Sequence, residues 1–145
     1  MIAVDTNILV YAHRSDTEMH NAAAQTLRQL AESPNNWAIP WPCIHEFIAI
    51  VTHPRIFDPP STPDEAINQV EAWMESPSLV MLSETASYWK KLCHLIQASR
   101  LVGPLVHDAR IMALCQVHGT TTLWTADRDF SRFPGVVTIT NPLLT

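Results

Sequence analysis

The first thirteen residues, MIAVDTNILVYAH (1–13), predict how the fold begins. Residues 2–4 are apolar and suit a short buried strand, whereas residues 6–13 have the pattern of a helix. Asp5 stands between them, where the strand turns into the helix. Asp, Thr and Asn are all good helix N-caps, so this stretch explains Asp5 equally well as a cap or as a functional acid.

Short apolar runs alternate with helical patterns along the rest of the chain. Such alternation is typical of an α/β fold with a parallel sheet. Further strands are predicted at WAIP (37–40), LVML (79–82), TTLWT (121–125) and VVTI (136–139). Further helices are predicted at 17–33, 42–53, 64–76, 84–101 and 104–119.

The composition indicates a globular protein of one domain. The chain has 145 residues, of which 47% are hydrophobic and 16% charged, as in ordinary soluble domains. No apolar run reaches the roughly 18 residues of a membrane span, and no basic segment precedes the first apolar run, as a signal peptide requires. Cys43, Cys93 and Cys115 lie in apolar helical patterns without zinc-site spacing. We therefore expect buried thiols and a cytoplasmic location.

The net charge of −5 differs from the basic excess of most nucleic-acid-binding proteins. It does not exclude nucleic acid as a ligand. Acids that gather around divalent cations reverse the local charge when the cations bind.

Five acids on four segments are candidate site residues. Asp5 ends the first strand, and Asp127 and Asp129 follow the fourth. Glu46 stands among apolar neighbours in a helix, and Asp108 lies on the apolar face of another helix, near its N-terminus. Each also has an ordinary explanation: Glu46 on a solvated stripe, Asp108 favoured by the helix dipole, and Asp127 and Asp129 as turn formers.

The combination of these acids points to metal chemistry. Ligands of parallel α/β sheets bind beyond the carboxyl ends of the strands, where these carboxylates would meet. Clustered carboxylates repel one another unless protons or cations intervene, and oxygen ligands suit Mg²⁺ or Mn²⁺. Ions held in this way activate water for phosphodiester cleavage.

Four motifs in order, DTNILV (5–10), HEF (45–47), HDARIMALCQVHG (107–119) and TADRDF (125–130), resemble those of PIN-domain ribonucleases. In particular they resemble VapC toxins of type II toxin–antitoxin pairs. The resemblance covers essentially the whole chain. It implies a single PIN domain over residues 1–145, with an α/β/α sandwich around a short parallel sheet of four to five strands.

The resemblance also implies a function: a metal-dependent endoribonuclease toxin that cleaves RNA phosphodiester bonds with metal-activated water. It implies Mg²⁺ or Mn²⁺ as cofactor, a cognate VapB-type antitoxin, an RNA substrate and, as in many relatives, a homodimer. By motif, the catalytic and metal-binding acids are Asp5, Glu46, Asp108 and Asp127, with Thr6, Thr125 and Asp129 in support. His13 and Arg14, which follow the first helix, are candidate contacts to an RNA phosphate.

Other functions remain open at this point. The chain could be a PIN nuclease of RNA processing or of structure-specific DNA cleavage, or a non-catalytic binding module with the same fold. A phosphotransfer phosphatase is disfavoured, because its nucleophilic aspartate usually has a second aspartate two residues later, where this chain has Asn7.

Some residues are assigned to packing rather than to function. His45 and His107 each precede a site acid, but adjacent helical residues point about 100° apart, so neither need face the site. The apolar face of the 64–76 helix is predicted to carry Ile67, Val70 and Met74. We assign Trp37, Trp73, Trp89 and Trp124 to the core and leave Trp41 unassigned.

Overall fold

A five-stranded parallel sheet forms the centre of the fold in this computed structural model, which describes residues 1–133, 135 and 137–144. The strand order is β3-β2-β1-β4-β5, and every neighbouring pair is parallel. The strand that carries Asp5 is therefore central. The strands are β1 (Ile2–Val4), β2 (Trp37–Pro40), β3 (Leu79–Leu82), β4 (Thr122–Trp124) and β5 (Thr138–Thr140).

Six α-helices flank the sheet in the part of the chain that the structure describes. Among the described residues, none of them is both long and apolar enough to span a membrane. The helices are α1 (Thr6–His13), α2 (His20–Glu32), α3 (Trp41–Val51), α4 (Pro63–Met74), α5 (Tyr88–Ser99) and α6 (Leu105–Val117).

Local sequence explains several helix ends. The side chain of Thr62 accepts a hydrogen bond from the backbone of Glu65, whose side chain bonds back to the Thr62 backbone, so a capping box starts α4. After α6 the chain turns at Gly119, where φ is +67°, a conformation that suits glycine. After α5 the same kind of turn falls on Arg100, with φ of 51°.

The predicted α/β fold with a parallel sheet is confirmed. The first strand and first helix have the predicted bounds, and most other elements are shorter than predicted, because helix and strand patterns extend into turns. The fifth strand begins later than VVTI suggests, at Thr138, and Val136 of that motif lies outside the described residues. The extent of the domain, residues 1–145, stays a prediction.

Three packing predictions were wrong. The buried side of α4 carries Ala66 and Val70, whereas Ile67 and Met74 are exposed. Trp89 is 67% exposed on α5 and does not belong to the core. Helical periodicity identifies an apolar side, but it does not show which neighbouring element will cover it.

The thiols and the remaining tryptophans fit their predictions better. Cys43 and Cys115 are buried and Cys93 is half-buried. Trp37 is fully buried, and Trp73 and Trp124 pack against the core from partly exposed positions.

Candidate active site

Asp5 lies at the carboxyl end of the central strand, with its side chain only 4% exposed. Its Oδ1 accepts a hydrogen bond from the Thr6 backbone N–H at 2.8 Å, so it caps α1 as its position predicts. Its Oδ2 accepts a second bond from the hydroxyl of Thr125 at 2.7 Å. A capping role and a place in a polar site are therefore both present in the same side chain.

Cys43, in the first turn of α3, also contacts this carboxylate. Its Sγ lies 3.6 Å from Oδ1 of Asp5. Burial, followed by the neighbouring charge of Asp5, raises the pKa of the Cys43 thiol well above its usual range. The group is therefore a neutral thiol at physiological pH and donates to the carboxylate.

Thr125 connects three of the elements around the site. Besides donating to Asp5, its hydroxyl accepts bonds from the backbone N–H of Asp127 at 2.9 Å and from the side-chain amide of Asn7 at 3.3 Å. The carbonyl oxygen of Asn7 in turn accepts from the Ala126 backbone N–H at 3.1 Å. These bonds fix the turn after β4 against the start of α1.

Glu46 reaches the same region from α3. Its Oε2 accepts a hydrogen bond of 2.9 Å from the hydroxyl of Thr6, the residue that follows Asp5. The side chain is half-buried, between buried Phe47 and exposed His45. It therefore belongs neither to the core nor to a fully solvated stripe.

Three other acids form a cluster of their own. One carboxylate oxygen from each of Asp108, Asp127 and Asp129 lies within 4.8 Å of the other two. Asp108 and Asp127 are half-buried and Asp129 is exposed. Oδ1 of Asp127 also accepts from the Asp129 backbone N–H at 2.8 Å and caps a short 3-10 helix, Arg128–Arg132. The turn-forming role expected of Asp127 is thus present together with the cluster.

Electrostatics connect this cluster to Asp5. Desolvation, followed by the charges of Asp127, Asp5, Asp129 and Glu46 in that order, raises the pKa of Asp108 to about 6. The pKa of Asp5 is also about 6, chiefly because of burial, against which the hydrogen bonds from Thr125 and Thr6 act. Each group therefore favours its neutral form more than a free aspartate does. A cation bound at this site would lower the free-energy cost of ionising Asp5 and Asp108.

His13 and Arg14 lie at the other end of α1, away from Thr6. The His13 ring bonds to Ser61 and Gln69. The Arg14 guanidinium pairs with Asp16 at 2.6 Å and stacks over the ring of Phe57. Both side chains are held by protein partners, and their predicted contact with RNA stays a prediction.

Two residues of the site were not singled out from the sequence, Asn7 and Cys43. One helical turn separates Cys43 from Glu46, so a search of that helix face would have included Cys43, whereas Asn7, two residues after Asp5, would not have been found in this way. Their bonds to Thr125, Ala126 and Asp5 cross between segments, and no local pattern predicts such contacts.

Comparison with known proteins places this arrangement in a family. A model of the PIN domain matches residues 2–136. This chain belongs to the PIN-domain family. The resemblance seen in its motifs is confirmed, and a PIN domain accounts for the parallel sheet with acids at its carboxyl edge.

Relatives with this PIN domain include ribonuclease VapC43 of Mycobacterium tuberculosis, which is 32% identical over 133 residues, covering 92% of this chain and 90% of the relative. The fold is also that of VapC20 of M. tuberculosis, a toxin that cleaves the sarcin–ricin loop (TM-score 0.65, 17% identity, 90% of this chain and 93% of that one). VapBC2 of Rickettsia felis, solved with a promoter DNA fragment, is similar too (TM-score 0.64, 21% identity, coverage 97% and 98%).

Proposed function

We propose that this protein is a metal-dependent endoribonuclease and the toxin of a VapBC-type toxin–antitoxin pair. The observation that carries the proposal is the cluster of Asp108, Asp127 and Asp129, within 4.8 Å of one another in a PIN domain. Asp5 is electrostatically coupled to this cluster. The relatives named as VapC ribonucleases support RNA as the substrate.

The donor set suits a divalent cation. The cluster consists of carboxylates alone, and hard oxygen ligands are those that Mg²⁺ and Mn²⁺ prefer. The raised pKa values of Asp5 and Asp108 fit a site that is electrostatically unfavourable without a cation. Asp5, Glu46, Asp108 and Asp127 would hold the ion, directly or through water. Once bound, it would supply an activated water and neutralise charge on the scissile phosphate.

The other residues of the site act on these ligands. Thr125 orients Asp5 and fixes the backbone of Asp127 through one hydroxyl. The Thr6 hydroxyl orients the side chain of Glu46 by donating a hydrogen bond to its carboxylate. Orientation by such outer partners typically contributes 10- to 100-fold to metal affinity or activity. Asp129, exposed at the edge of the cluster, supports Asp127 and is the least constrained of the acids.

The toxin assignment implies a protein partner. VapBC structures are among the similar folds, and we propose a VapB-type antitoxin for this chain. The net charge of −5 and the acid cluster make a basic segment of the antitoxin electrostatically complementary to this surface. We also propose that residues 1–145 form a single domain and that two copies of the chain associate as a homodimer.

The test of catalysis is RNA cleavage by the purified chain. We expect cleavage with Mg²⁺ or Mn²⁺ and none with EDTA. Asp108→Ala should abolish it while the protein stays folded, because a hard ligand is lost without a substitute. Asp64→Ala is the matched control, since Asp64 is an exposed acid in the first turn of α4. Equal activity of both variants would contradict the assignment.

The toxin role is tested separately in cells. Expression of the chain should arrest growth, and co-expression of a cognate VapB-type antitoxin, sought among small reading frames beside the gene, should restore growth. Asp108→Ala should be harmless at the same protein level. RNA cleavage in the tube without growth arrest would instead favour a PIN nuclease of RNA processing.

A further inference from the structure

A cavity of about 330 Å³ opens at the carboxyl end of β3. Its walls come from the start of α3, the end of β3 and the middle of α6. We call it the Trp41 cavity; its lining includes Trp41, His45, Arg110 and the acid Glu84. It shares α3 with Glu46 and α6 with Asp108.

One wall of the Trp41 cavity is an exposed aromatic stack. The rings of Trp41 and His45 lie 6.2 Å apart between centroids, with an interplanar angle of 28°. They are one helical turn apart, which places them on the same side of α3. Trp41 is 37% exposed, so it contributes little to the core. Exposed aromatic faces are the surfaces on which proteins stack unpaired nucleobases.

Arg110 adds a positive charge to the cavity. It is half-buried, contacts Nδ1 of His107 at 3.4 Å and neighbours the Tyr88 hydroxyl. Among the residues that the structure describes, no carboxylate oxygen lies within 4 Å of its guanidinium, whereas Arg14 has Asp16 at 2.6 Å. A guanidinium with no carboxylate in contact keeps donors for a phosphate, which it can bind with two parallel hydrogen bonds. The exposed carboxylate of Glu84 lines the same cavity, so Arg110 must hold the phosphate against that charge.

The position of the cavity fits a strand of RNA that crosses the site. β3 lies two places from β1 in the sheet, so the ends of these strands are about 10 Å apart. A nucleotide next to a phosphate held at the acids can reach that far. We propose that the Trp41 cavity is a nucleobase subsite, in which one base flanking the scissile phosphate stacks on Trp41 and a neighbouring phosphate binds Arg110. This inference rests on the RNA-cleaving function proposed above.

The test compares RNA with and without its bases. Binding of fluorescent octaadenylate and octauridylate is measured by anisotropy with Mg²⁺, beside an abasic ribose-phosphate octamer of equal charge. All proteins carry Asp108→Asn, so that the RNA stays intact. We expect at least one base-containing octamer to bind about 5- to 150-fold more tightly than the abasic one, the range typical of one stacked base.

Substitutions then show which residue causes the tighter binding of the base-containing octamers. Trp41→Ala should reduce it to less than twofold, and Trp41→Leu, which keeps apolar bulk, should do the same if the alanine variant fails to fold. Trp41→Phe should keep most of it. Trp89→Ala is the matched control, because Trp89 is 67% exposed on α5 and does not line the cavity.

Replacing Arg110 should affect RNA binding differently, because its proposed contact is with a phosphate and not with a base. Arg110→Ala should weaken binding of the base-containing and abasic octamers alike, and should lower the slope of log K against log salt by about 0.7, the value for one single-strand phosphate. Arg28→Ala, which removes an exposed charge from α2, should leave the slope unchanged.

Other outcomes would overturn the subsite. A base preference that Trp41→Ala leaves unchanged, including the case in which that variant weakens both kinds of octamer equally, contradicts it. The absence of any base preference in the parent protein contradicts it as well. If wild-type protein still cleaves RNA in these cases, the subsite alone is wrong. If it neither binds nor cleaves RNA, the proposed function is wrong as well.

Discussion

The Thr125 hydroxyl donates a 2.7 Å hydrogen bond to Oδ2 of Asp5, across 120 positions of sequence. The same oxygen accepts from the Asp127 backbone N–H and from Asn7. One buried hydroxyl therefore orients the first acid and fixes the backbone of the last. The positions of two acids of the site therefore depend on one side-chain atom.

Replacing Thr125 tests that dependence. Thr125→Val keeps the shape but leaves Asp5, Asn7 and the Asp127 N–H without their shared partner. We expect RNA cleavage to fall by about 10- to 100-fold, and the free energy of unfolding to fall by about 1–3 kcal/mol. Thr125→Ser retains the hydroxyl and should keep most activity. Initial rates and denaturant melts measure both effects, and equal rates for the two variants would show that the hydroxyl is dispensable.

The Asp5→Asn variant distinguishes the capping role of Asp5 from the role of its negative charge. The folded-state pKa of Asp5 is about 6, compared with 3.8 in a free aspartate. Folded protein therefore binds the proton more tightly, and the stability of the metal-free protein falls as pH rises from about 4 to about 6. The resulting cost above pH 6 is about 3 kcal/mol. Asparagine removes this cost and still caps α1, but it competes poorly for the Thr125 hydroxyl, at a cost of about 1 kcal/mol.

Metal-free Asp5→Asn should thus be more stable than wild type by about 2 kcal/mol at pH 7.5 and less stable by about 0.5 kcal/mol near pH 4. Denaturant melts in EDTA at the two pH values measure the change of sign. We expect the same variant to lose RNA cleavage and to gain less stability from Mn²⁺. A variant that cleaves normally and follows the wild-type pH dependence would leave capping as the only role of Asp5.

Binding of Mn²⁺ should release protons near pH 6. Asp5 and Asp108 both have pKa values of about 6 in the metal-free protein, and a bound cation requires them to be ionised. We expect affinity to fall as pH decreases from 7.5 to 5. Calorimetry in buffers of different ionisation enthalpy counts the protons released. Affinity that does not change with pH would show that neither group binds the ion.

Asp127 should matter more than Asp129. Asp127 is half-buried, follows β4 closely and caps the 3-10 helix, whereas Asp129 is exposed. Asp127→Asn preserves the cap while removing the charge, and should lower RNA cleavage well beyond the effect of Asp129→Asn. Parallel rate measurements on the two variants give the ratio. A larger loss at Asp129 would reverse their assigned roles.

The sequence predicts the sheet and the acids well because both depend on local rules. An apolar triplet before Asp5 predicts a buried strand, and the end of a parallel strand predicts where its acid lies. The contacts of Cys43 and Arg110, and the exposure of Trp41 and Trp89, depend on which elements pack together. Residue type alone does not show which elements pack together.

The strand order has a consequence for synthesis of the protein. β1 is made first, but its partner on one side is β4, in which Thr122 pairs with Ile2. Asp5, Asp108 and Asp127 are all present only after residue 127 has been synthesised. These acids therefore cannot assemble before translation passes that residue. At about 5–20 residues per second, the ribosome needs roughly 6–25 s for this distance. The growing chain lacks its full set of acids throughout that interval, so the metal site proposed here cannot form until residue 127 has been made.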